Sequence, residues 1–113
     1  MRTISGEITV PVNCPSATGA AILIEVRDVS LADAPSTVIA HMKLTNINLH
    51  PDDRFAFSLA VPEIENTRSL TLRVHISLSD SDRVRPGDLL TTASYPVPLR
   101  GTASGMVVPV TLI

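Results

Sequence analysis

Side chains suited to covalent or metal chemistry are few in this chain, and they are scattered. There is one thiol, Cys14, and there are three imidazoles, His41, His50 and His75. A cysteine nucleophile needs a histidine beside it to take the thiol proton, and no histidine is near Cys14 in sequence. A zinc centre needs three or four converging ligands, and the histidines have no ligand-like spacing. The densest polar stretch is Asp28-Val29-Ser30-Leu31-Ala32-Asp33-Ala34-Pro35. There Asp28, Ser30 and Asp33 could gather around a hard cation or a ligand, since carboxylate oxygens suit such ions. The same residues at the end of a strand also bond their own backbone in tight turns, with Pro35 fixing the exit, and this is the simpler reading. Ser79-Asp80-Ser81-Asp82 carries the same two readings, a cation ligand set or a solvated hairpin tip. The five glycines are isolated, so no phosphate-cradling loop exists. Ser16 and Ser104 lack the strand–turn–helix setting of a nucleophile elbow. No catalytic set, cofactor site or metal centre is expected.

Recognition by aromatic stacking is also thinly provided. Aromatic residues make up 3% of the chain, namely Phe55, Phe57 and Tyr95. Sugar-binding and single-strand-binding surfaces use exposed aromatic platforms. The two phenylalanines alternate with polar or small residues and read as core. That leaves Tyr95, as a surface contact or as a ring packed at a sheet edge. The net charge of -2 and the scattered arginines give no attraction for a polyanion. Nucleic-acid binding and polybasic membrane docking are therefore excluded as leading readings.

The elements that must carry these residues are strands. Between Leu70 and Ser79, Leu70, Leu72, Val74, Ile76 and Leu78 alternate with Thr71, Arg73, His75, Ser77 and Ser79. Such a split fits a half-buried strand, whose successive side chains leave on opposite faces. On this reading His41 and His75 point outward. The same rhythm recurs in residues 3–10, 20–29, 37–44, 54–61, 89–97 and 106–113. In the third segment Val38, Ala40, Met42 and Leu44 should oppose Thr37, Ile39, His41 and Lys43. Turn residues punctuate the series at 13–19, 32–36, 50–53, 85–88 and 100–105. Residues 62–67 could hold one helical turn. Pro96, Pro98 and Pro109 cannot donate to a ladder and mark edges or bulges. The expectation is one all-β domain over 1–113, a two-sheet antiparallel sandwich of seven or eight short strands. A single cysteine permits no internal disulfide. No stretch approaches the roughly 20 apolar residues that span a bilayer.

The order of motifs resembles a known family. Gly6-x-Ile8 precedes Ile24-Glu25-Val26-Arg27-Asp28-Val29-Ser30-Leu31-Ala32-Asp33-Ala34-Pro35. Phe57-x-Leu59, Leu70-x-Leu72-x-Val74-x-Ile76 and Gly87-Asp88-Leu89-Leu90-Thr91-Thr92 follow, running into Tyr95-Pro96-Val97. This resembles the YbaY/YscW-type family of small bacterial lipoproteins, which includes pilotins of type III secretion. The resemblance covers nearly the whole chain. It implies a β-sandwich without enzyme activity and, for the pilotin branch, a periplasmic, lipid-anchored protein that binds a secretin subunit and escorts it to the outer membrane. Here Pro11-Val12-Asn13-Cys14 follows no apolar run, so Cys14 is not expected to be lipidated. The compartment stays open: periplasmic or outer-membrane-associated if a signal peptide was removed, cytoplasmic if Met1 is the native start.

The expected function is a non-catalytic interaction module with an envelope or secretion-system protein as partner. Docking would use an open edge or the outward apolar residues Leu23, Ile39, Val107 and Ile113. The alternative is a small-ligand or carbohydrate-binding accessory domain, which the scarcity of aromatics disfavours. No cofactor is called for, and the oligomeric state is left open.

Overall fold

The computed structural model describes residues 2–29, 37–63, 69–79, 83–93, 95–98 and 101–113. Ser30, Asp33 and Pro35 lie outside these residues, as do Asp80, Asp82 and most of the segment read as a helical turn.

All regular structure among the described residues is β, as the two-residue rhythm requires. The strands are β1 (Arg2–Thr9), β2 (Ala17–Asp28), β3 (Thr37–Leu49), β4 (Arg54–Val61), β5 (Leu70–Ser77), β6 (Leu89–Leu90), β7 (Pro96–Val97), β8 (Ala103–Pro109) and β9 (Thr111–Leu112). They form two sheets. The smaller has the order β4-β1-β8, and the larger runs β3-β2-β5-β6-β9, with β7 also paired to β5. The inner faces contribute Ile4, Ile8, Phe57, Leu59, Val61 and Val108 from one sheet, and Ile22, Ile24, Val26, Leu72, Val74 and Ile76 from the other. All are at most 5% exposed, so one shared apolar interior holds the sheets together.

Two apolar runs read as single strands are each divided. Residues 89–97 yield β6 and β7, which pair with opposite ends of β5. Between them side chains join in the pairing along β5. Val74 N donates to Thr91 Oγ1 at 3.2 Å and Tyr95 N donates to Thr71 Oγ1 at 3.2 Å. Near the C-terminus, Pro109 ends β8, and β9 crosses to the other sheet. A proline lacks the N–H that would continue the ladder.

The pairing is antiparallel throughout except between β1 and β8, which run parallel. Their register shifts between Ile4↔Ala103 and Gly6↔Met106. The extra residue falls in β8, where Gly105 has φ 71°, a left-handed conformation that costs glycine little. The bulge drives β8 against β1 at Gly6. A Cβ added at Gly6 would meet the Met106 carbonyl oxygen, and would sit 2.8 Å from Met106 Cβ.

Strand β3 departs from the alternation expected of it. The register slips between Val26↔Ala40 and Arg27↔Val38, so one extra residue enters β3. Val38 therefore lies opposite Arg27 on the outer face and is 39% exposed. Ile39, expected outward, is half-buried against the core. A second slip, between Leu44 and Ile47, accommodates Asn46 at φ 55°. Beyond it Ile47 and Leu49 take over the inward positions. Each inserted residue reverses which parity faces the interior.

Candidate functional site

The residues singled out for chemistry are held apart. Asp28 ends β2, half-buried, with Thr37 and Leu70 as cross-strand neighbours. Of the Asp28–Pro35 signature, only Asp28 and Val29 are among the described residues. Tyr95 is half-buried beside the core. Its carbonyl accepts from Leu72 N at 2.9 Å, and its Oη donates to the Pro109 carbonyl at 3.4 Å. Tyr95 thus lies against the edge of β5. Cys14 is 2% exposed, and its Sγ donates to the Pro15 carbonyl at 3.2 Å. Burial, and then the nearby Asp53 charge, push its thiol pKa up, away from the reactive thiolate form.

His41 and His75 occupy β3 and β5, which flank β2 on opposite sides. His41 is opposite Glu25 and exposed, whereas His75 is opposite Leu23 and only 2% exposed. His75 was expected in solvent. The strand does direct it outward, but Asp88 covers it, with Nε2 and Oδ2 2.9 Å apart. Asp88 also accepts from Leu78 N at 3.2 Å and Arg85 N at 3.0 Å. Burial raises the Asp88 pKa. The hydrogen bond to His75 and the two backbone N–H groups outweigh it, and the carboxyl is held below its ordinary value. Such a carboxylate can only accept, so Nε2 carries the proton. Alternation alone could not find this pair. The one sequence signal was a carboxylate in the Arg85-Pro86-Gly87-Asp88 turn.

The second charged cluster lies on the outer face of the larger sheet. Glu25, 6% exposed, accepts from Arg27 Nη2 and from Arg73 Nη1, each at 3.0 Å. Glu25 and Arg27 share a face because they are two apart on one strand. Arg73 joins them because its Cα partner in β2 is Glu25. Replacing Glu25 by Ala removes the carboxylate that both guanidiniums share. Both arginines retain partial solvent access, at 25% and 30% side-chain exposure. A loss of about 1–2 kcal/mol is therefore expected in urea unfolding, whereas Glu25→Gln should recover part of it.

Among the described residues, two shallow depressions lie on the sheets. One, of about 380 Å³, lies where β1, β4 and β8 meet around Gly6 and Gly105. Val107, at 62% exposure, is on its rim. The other, of about 300 Å³, sits on the larger sheet beside Arg73. Of the apolar residues expected outward, Val107 and Ile113 are exposed and Leu23 is half-buried on the outer face. No group of three metal-ligating side chains converges among the described residues. No described helix is long and apolar enough to cross a membrane.

Comparison with known proteins gives this geometry a context. The model of a family described as type III secretion system lipoprotein chaperone (YscW) matches residues 1–107. Among solved structures, an alternative pilotin from the type II secretion system of Vibrio cholerae is similar, with a TM-score of 0.66 at 21% sequence identity. The alignment covers 96% of each chain, so the likeness extends over the whole sandwich. No curated protein sequence matches the chain.

Proposed function

Because the chain belongs to the YscW family of type III secretion system lipoprotein chaperones, we propose that it is a non-catalytic docking module that binds a secretin subunit and escorts it during assembly of a secretion channel. The observation that carries this reading is the family match over residues 1–107. The pilotin-like sandwich gives that match a shape. The chemistry is consistent with it. Cys14 is buried, and the His75–Asp88 pair is enclosed, with Asp88 held by the Leu78 and Arg85 backbone N–H groups. What the fold does offer outward is sheet surface and edges, which recognise protein segments.

Mixing the purified chain with the secretin subunit of a type III system from the same cell tests the proposal. A saturable one-to-one complex is expected, together with protection of a secretin segment from proteolysis. If the subunit elutes alone at concentrations up to about 100 μM, where even weak transient complexes are detectable, the proposal is wrong.

A further inference from the structure

The depression beside Arg73 has an unusual combination of walls. Its lining is Val29, Thr71, Leu72, Arg73, Thr91 and Ala93. Val29 is 43% exposed, and Ala93 is also exposed. Into this mostly apolar hollow project two donors. Arg73 uses Nη1 on Glu25; its Nε and Nη2 have no partner among the described residues. Thr91 Oγ1 accepts from Val74 N, which leaves its own proton to give. Thr71 is committed elsewhere, to both the N–H and the carbonyl of Tyr95.

Beside it Arg27 and Arg73 both engage the one carboxylate of Glu25, each at 3.0 Å. Glu25 also holds Arg73 in place, so the guanidinium is pre-set rather than recruited from solvent. A guanidinium with free donors, a hydroxyl donor and an aliphatic wall together match one ligand chemistry, a carboxylate on a short methylene stem.

We propose that this depression is a subsite for an acidic side chain, glutamate or aspartate, carried by the protein segment that docks on the larger sheet. The inference rests on the docking-module reading and adds the partner's chemistry to it. Arg73 supplies charge and direction, Thr91 a second hydrogen bond, and Val29 and Ala93 cover the stem. On the outer face of the smaller sheet, by contrast, Arg54 has Glu7 as its partner at 3.1 Å.

The test uses the full chain and three variants. N-acetyl-glutamate amide is titrated against amide resonances, with N-acetyl-glutamine amide as the neutral control. Saturable shifts at Thr71, Arg73 and Ala93 are expected with the acid alone. They should weaken at least tenfold in Arg73→Gln, as befits a lost charged hydrogen bond. They should also weaken in Ala93→Glu, which places a carboxylate in the hollow from within the chain and leaves the Glu25 cluster intact. Arg54→Gln should bind as the parent does. Equal shifts with the neutral control, or binding unchanged in both site variants, would overturn the proposal. So would phosphatidylglycerol vesicles retaining the parent and releasing Arg73→Gln, since the occupant would then be a membrane. The two readings fail separately. If the secretin subunit binds the parent and both site variants equally, the subsite is wrong and the docking role stands. If the probe binds as expected and the subunit does not, the reverse holds.

Discussion

Replacing Gly6 by Ala is expected to destabilise the protein by about 3 kcal/mol, the upper part of the range for overpacking. Gly6→Val should leave no cooperatively folded state. The cause is contact, not backbone conformation. The new methyl group would overlap the Met106 carbonyl oxygen and come within 2.8 Å of Met106 Cβ. Two of the nearest atoms belong to the backbone of the adjacent strand, so no rotamer change relieves them. Strand β8 would have to leave β1, and the smaller sheet would lose one of its three strands. Gly19→Ala is the control. Nothing lies within 4 Å of a Cβ there, and only its φ of 70° is unfavourable, a cost of about 1–2 kcal/mol. Urea unfolding of the two variants separates the causes. Hydrogen exchange adds the location, because faster exchange in Gly6→Ala should concentrate in β8.

Asp88→Ala should cost about as much, roughly 3 kcal/mol, since it leaves a buried imidazole N–H and two backbone N–H groups without acceptors. For a chain of this size that lowers Tm by roughly 10–20 °C. Asp88→Asn should cost less, because its amide oxygen still accepts. Acid provides a second readout. The Asp88 pKa is lowered on folding, so the folded state binds this proton less readily than the unfolded state. Its stabilisation is complete above the ordinary carboxylate value of about 3.9 and is lost as pH falls through that value towards the folded one. The parent should therefore lose stability on acidification below about pH 5 more steeply than Asp88→Asn. Parallel profiles for the two proteins would show that Asp88 does not carry the effect.

These two sites also mark where sequence reasoning reached and where it stopped. The strands with unbroken alternation, 54–61 and 70–77, were legible because one face is apolar and a one-residue slip would expose it. In β3 the parity changes at Ile39 and again at Asn46, so a rule of strict alternation misplaced Ile39. Leu44 and Ile47, three apart with an asparagine between, held the only local clue to the second change. His75 was placed on the right face in the wrong environment. Its cover comes from Asp88, thirteen positions on, and that proximity is created by the turn at 85–88. The outer charged cluster was half visible: Glu25 and Arg27 could be seen to share a face, while Arg73 needed the β2–β5 register. The role of Gly6, a glycine within a strand, became clear only once β8 was known to lie beside it.

The parallel partnership of β1 with β8 also governs the order in which the molecule can be completed. Ile4 waits for Ala103, nearly a hundred residues later. At synthesis rates of about 5–20 residues per second, that delay is roughly 5–20 s. Until then β1 has an open flank, and a newborn chain is most exposed to mispairing there. A late strand thus closes the first, so the smaller sheet is finished only once β8 has been delivered.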